Sequence, residues 1–148
     1  MSKRALVLVV LTALALLSAF IAATFATFAA DAPAAGDRQV VAYYFHGKTR
    51  CKTCVGMEGM TADVLRTDFP AQLKDKSIDW RVVNYDEQAN EHFIEDYQLV
   101  GPSVVLVELA GGRQVRYRNL DKIWQLAHEE DEFKHYVRTQ VAAFLKQG

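Results

Sequence analysis

The chain has 148 residues, a formal net charge of −1 and 51% hydrophobic residues, a size that suits one globular domain plus a short appendage. Its basic residues form no block or stripe, so nucleic acid is not among the expected partners. The two cysteines are too few for a disulfide scaffold, and their placement matters more than their number.

Lys3 and Arg4 precede an uncharged run from Ala5 to Ala30, without the regularly spaced polar positions of a buried soluble helix. A secretory hydrophobic region is about 7–15 residues long and a membrane-spanning helix about 20. The run is long enough to span. Phe25 and Phe28 interrupt the alanines where a small-x-small cleavage site would lie, although Ala29 and Ala35 remain candidate cleavage positions. Residues 1–30 therefore read as an uncleaved membrane anchor or a cleaved signal peptide. Both readings place everything after Asp31 beyond the membrane, in the periplasm or its equivalent, where disulfides persist. Residues 31–38, with Pro33 and Gly36 among alanines, read as a tether to a domain over 39–148.

Gln39 to Phe45 (QVVAYYF) is a β-branched and aromatic run, the pattern of a strand buried on both faces. A polar loop from His46 to Arg50 leads to helical spacing from Cys51, through Cys54, Met57 and Val64/Leu65, which Phe69-Pro70 ends. Ile78 to Asn84 is a second strand, Glu91 to Tyr97 a short helix and Ser103 to Glu108 a third strand. Gly111-Gly112 turns the chain into Gln114 to Tyr117 as a paired antiparallel strand. The remainder is expected to be helical. It has an apolar group at Ile123, Trp124 and Ala127, with Trp124 and Ile123 docking the last helix on the sheet. A stripe at Phe133, Val137, Val141 and Leu145 follows, and Glu129 to Glu132 stand at the favourable end of that helix. The order β-α-β-α-β-β-α predicts a mixed sheet with helices on both faces, parallel where helices separate strands.

Cys51-Lys52-Thr53-Cys54 follows the first strand and opens the first helix. A thiol there meets unpaired backbone N–H groups and the positive end of the helix dipole, both of which stabilise thiolate. Arg50 and Lys52 push the same way, and His46 can do so when protonated. Cys51 is expected to be the exposed attacker and Cys54 the resolving thiol. An inert bridge is the poorer reading, because a loop with two intervening residues restrains little of the unfolded chain. Zinc would need two more ligands, and no second C-x-x-C or close histidine pair exists. Cu(I) held by the cysteines with Met57 or His46 is the alternative metal reading, set against Met57 as core filler. Glu58, one turn beyond Cys54, is read as a solvated helix position before a proton relay. No resident metal and no cofactor beyond the Cys51–Cys54 disulfide are expected, since neither a G-x-G-x-x-G nor a phosphate-cradling loop is present. Pro102 belongs at the start of the third strand, where it removes no ladder donor.

With Tyr44-Phe45 ending a strand, the dithiol opening a helix and Tyr97 to Ser103 leading into a strand, residues 39 to 147 resemble the thioredoxin superfamily. The resemblance implies a cis bond at Pro102, beside the dithiol, and a substrate groove lined by Gly101, Pro102 and Ser103. More narrowly, Tyr43 to Gly47, Arg50 to Cys54 and Asn119 to Leu126 look like a small bacterial family labelled nitrophenyl compound nitroreductase subunit, ArsF type. That likeness implies a dithiol electron carrier to another subunit. The chain departs from thioredoxin in its Lys-Thr intervening pair, in Arg50 before Cys51, and in having no acidic residue within 40–45. The expected partner is a protein thiol or disulfide, a membrane electron carrier among the candidates, with the membrane itself contacted through residues 1–30 if they are uncleaved. A non-catalytic partner subunit that keeps the fold is the third reading.

Overall fold

The computed structural model describes residues 38–147. The expected anchor or signal over 1–30 and most of the 31–38 tether lie outside them. Among the described residues, no helix is long and apolar enough to cross a membrane.

The elements in chain order are β1 (Arg38–His46), α1 (Lys52–Asp68), α2 (Pro70–Lys74), β2 (Ile78–Asn84), α3 (His92–Asp96), β3 (Ser103–Ala110), β4 (Arg113–Asn119) and α4 (Glu130–Lys146). The sheet order is β2-β1-β3-β4, with β1 parallel to β2 and antiparallel to β3, and β3 antiparallel to β4. This is a mixed sheet with the thioredoxin-like arrangement that the family resemblance implies. β1 is central, and every residue from Val40 to Phe45 is buried, as its uninterrupted apolar run requires.

The two-residue period of β1 divides the core. Val40, Ala42 and Tyr44 face one layer with Met57, Leu65, Phe133 and Val137 from α1 and α4. Val41, Tyr43 and Phe45 face the other, where Tyr97 and Phe93 cover them. Phe93 stacks on Tyr97 with ring centroids 5.7 Å apart. The helices thus lie on both faces.

Two expectations need correction. Strand β3 pairs antiparallel with β1 although α3 lies between β2 and β3. The connection over 85–102 contains one five-residue helix and stays at the end of the sheet where β1 and β2 finish, so the chain enters β3 from that end. Residues 121–128 are turns, not helix. Their one α-type bond runs from Leu126 N–H to the Lys122 carbonyl. Ile123 and Leu120 are buried in the core, whereas Trp124 is half-exposed and bonded elsewhere, so tertiary anchoring displaces helical spacing. Gly111 and Gly112 both have positive φ, 59° and 73°, as a two-residue hairpin turn of the primed type demands.

Candidate redox site

Strand β1 ends at His46 in the sheet, and a five-residue loop separates it from α1. The loop between is clamped. The His46 carbonyl accepts from Tyr85 N–H at 2.9 Å, and Lys48 N–H donates to Asp86 Oδ2 at 2.6 Å. Gly47 is buried within this clamp, and a Cβ there would stand 3.0 Å from Asp86 Oδ2 and 3.2 Å from the Tyr85 hydroxyl.

Cys51 is the N-cap of α1, in extended backbone, and its sulfur accepts from Cys54 N–H at 3.0 Å. Cys51 and Cys54 are joined as a disulfide, with Cα atoms 5.1 Å apart. Cys51 is exposed and Cys54 is 5% exposed, the asymmetry expected of attacker and resolver. No acidic residue occupies the first turn of α1, so the positive helix end is not neutralised from within the helix.

The three residues expected to tune the thiol are placed differently from one another. Lys52 is exposed on the first turn. His46 Nδ1 lies 2.8 Å from the Gly47 carbonyl, and Arg50 Nη1 lies 3.4 Å from His46 Nε2. A carbonyl only accepts and a guanidinium only donates, so these contacts suit a ring that donates from Nδ1 and accepts at Nε2. Arg50 is also ion-paired with Glu58. Glu58 is therefore not a solvated helix position, and part of the positive charge expected beside Cys51 is already compensated.

Tyr44, fully buried, donates its phenolic proton to the Cys54 carbonyl at 2.6 Å. Burial and then the nearby Glu58 carboxylate push this phenol above its ordinary range, against the opposing pull of Arg50. It remains a donor at any ordinary pH. The part of Tyr44 in the site is one that sequence reasoning missed. The available signal was its alternation on β1, which points it at α1.

The pairing of Phe45 with Ser103 brings the Gly101–Ser103 turn to the sheet end that carries Cys51. The Gly101–Pro102 bond is trans, correcting the cis bond implied by the family resemblance. The turn is held without it, since Ser103 Oγ donates to the Gly101 carbonyl at 2.9 Å and Trp124 Nε1 donates to the Pro102 carbonyl at 2.8 Å. Trp124 was expected to anchor the last helix and instead ties its loop to this turn. Behind the turn lies a groove of about 280 Å³ whose lining includes Val100, Ser103, Tyr117 and Trp124. Met57 is fully buried in the core below the helix, which withdraws its sulfur from the surface where Cys51 lies. Among the described residues no group of three or more His, Cys, Asp or Glu is placed to hold a metal ion.

No family model matches the chain, and no curated protein matches it. Solved structures that resemble it include a thioredoxin from Thermus thermophilus, at 18% identity over 70% of this chain and 74% of that one, with a TM-score of 0.40. Thioredoxin O2 from Arabidopsis thaliana in the oxidised state is 17% identical over 62% and 77%, with a TM-score of 0.38. Fasciola hepatica thioredoxin is 16% identical over 54% and 66%, with a TM-score of 0.36. Likeness at this level adds no weight to the strand order and pairing, on which the thioredoxin-like fold stands by itself.

Proposed function

We propose that the chain is a thiol–disulfide exchange protein in which Cys51 attacks and Cys54 resolves. The observation that carries this reading is an exposed Cys51 at the N-cap of a long helix, disulfide-bonded to a buried Cys54 one turn on. In the reduced form the Cys51 thiolate attacks a partner disulfide, forming a mixed disulfide and expelling one partner thiolate. Cys54 then loses its proton and attacks the Cys51 sulfur, which closes the intramolecular bond and releases the second partner thiol. Two electrons pass to the partner, and the reverse sequence oxidises a partner dithiol.

The partner is a protein thiol or disulfide. Gly101, Pro102 and Ser103 form the wall against which its chain lies, a role supported by their position at the Cys51 end of the sheet. The N-terminal sequence supports action outside the cytoplasmic membrane, with a membrane electron carrier as one partner class. The narrower family resemblance would make the partner another subunit.

Cys51→Ser tests the reading, because serine is itself a good N-cap and preserves the helix start. The variant should fold and lose all turnover of a disulfide substrate. Wild-type turnover in Cys51→Ser would overturn the proposal.

A further inference from the structure

Glu58 takes no part in the exchange steps above, yet it shares their helix face. Cys51, Cys54 and Glu58 are spaced i, i+3 and i+7 at the start of α1, which aligns them along one side. Arg50 precedes Cys51, and its guanidinium reaches forward to pair with the Glu58 carboxylate. Its side chain therefore reaches from the residue before Cys51 to the helix position one turn beyond Cys54, with His46 Nε2 3.4 Å from Nη1. The two side chains are 32% and 26% exposed, so the pair is less screened than one on the open surface. Both charges also act on the Tyr44 phenol, whose hydroxyl is bonded to the Cys54 carbonyl. Because Arg50 adjoins Cys51 in the chain and Glu58 lies one turn beyond Cys54, the pair spans the stretch of α1 that opens with the dithiol.

In the disulfide form neither sulfur is charged, and Glu58 is the anion that Arg50 meets. Reduction adds a second one. In a glutathione buffer, two glutathione thiols give up two electrons and two protons as they join. The Cys51–Cys54 bond takes both electrons and one proton, becoming a Cys51 thiolate and a Cys54 thiol, and the other proton goes to the buffer. The new thiolate and the Glu58 carboxylate then compete for one guanidinium.

We propose, on the dithiol reading above, that Glu58 is a positioning residue that lowers the reduction potential of the Cys51–Cys54 couple by holding the Arg50 guanidinium away from the Cys51 thiolate. The other titratable groups around this helix start are Tyr44 and His46 from β1, Tyr85 and Asp86 from the loop after β2, and Lys48 and Lys52 on the flanks. None of them is substituted in the test variant.

The test equilibrates the full chain and Glu58→Gln in glutathione buffers of graded ratio and reads the disulfide fraction by alkylation and mass spectrometry. Glu58→Gln should shift the equilibrium about three- to tenfold toward the reduced form, tenfold corresponding to about 30 mV for a two-electron couple. The pH profile of Cys51 alkylation should move to lower pH in the same variant. In an Arg50→Gln background the Glu58→Gln shift should fall to less than about half. An unchanged midpoint in Glu58→Gln overturns the proposal. A full-sized shift in the Arg50→Gln background also overturns it, because Glu58 would then act on the sulfur directly. A wild-type couple that gives no midpoint in any buffer overturns the dithiol reading itself, and is recognised before any variant is compared.

Discussion

The Tyr44 hydroxyl and the Cys54 carbonyl form the bond that joins the central strand to the redox turn. Tyr44→Phe keeps the ring in the core and deletes only that bond. It should cost about 1 kcal/mol in urea unfolding, and the buried Cys54 should alkylate faster once reduced because its turn is less restrained. At Gly47 the constraint is space. A methyl group there would press on Asp86 Oδ2 and the Tyr85 hydroxyl, displacing the carboxylate that holds Lys48 N–H. Gly47→Ala should destabilise the domain by roughly 1–2 kcal/mol, as judged by a lower urea midpoint at constant slope. The cysteine pair and its asymmetry were legible in the sequence because a helix start after a buried strand has a known geometry. The Arg50–Glu58 pair was not. A glutamate at a half-exposed helix position looks solvated until the path of the preceding arginine is known.

Strands were the most legible elements. QVVAYYF and the β-branched run from Ser103 admit few conformations besides a buried strand, and Gly111-Gly112 supplies the positive φ a two-residue hairpin needs. The segment over 121–128 was misread because its apolar spacing suits a helix, while Ile123 and Leu120 are drawn into the core and Trp124 toward Pro102. The direction of β3 depends on where a connection crosses the sheet, which periodicity does not encode. Within α1, Gly56 and Gly59 lie mid-helix at ordinary φ, and a Cβ at either would meet nothing within 4 Å. Glycine in a helix interior costs about 0.5–1 kcal/mol relative to alanine. Gly56→Ala and Gly59→Ala should therefore each raise stability by about that amount, measured as a higher unfolding temperature.

Across the whole molecule, the sheet end opposite the redox turn is closed by a buried charge. Glu108 on β3 is 2% exposed, and it accepts from Arg38 on β1 at 2.7 Å and from Arg116 on β4. Arg116 also donates to the Phe144 carbonyl at 2.7 Å and lies over the Phe144 ring, tying α4 to the sheet edge. In sequence, Glu108 looks like the polar end of a strand. Its role follows from the tertiary arrangement of two arginines far apart in the chain, one on β1 and one on β4. Burial raises the Glu108 carboxyl pKa, but the two guanidinium hydrogen bonds outweigh it and hold the group below its ordinary value. A depressed carboxylate contributes stability that is complete above its unfolded value and is lost as pH falls through the lower folded one. Glu108→Gln should cost roughly 2–4 kcal/mol at neutral pH, below the full penalty for a buried pair because both guanidinium groups reach solvent. The gap from wild type in urea unfolding should close as pH drops below about 4. A gap independent of pH would contradict this account of the Glu108 network.

The most direct test of the redox account is mixed-disulfide trapping with the full chain and a small disulfide substrate, glutathione disulfide, resolved by mass. Reduced Cys54→Ser keeps the exposed attacker and removes the resolver, so it should accumulate one glutathione adduct on Cys51. Cys51→Ser, left with a buried Cys54, should accumulate little or none. Equal trapping by the two variants, or trapping only through Cys54, would contradict the assignment of Cys51 as nucleophile and the exchange mechanism that depends on it.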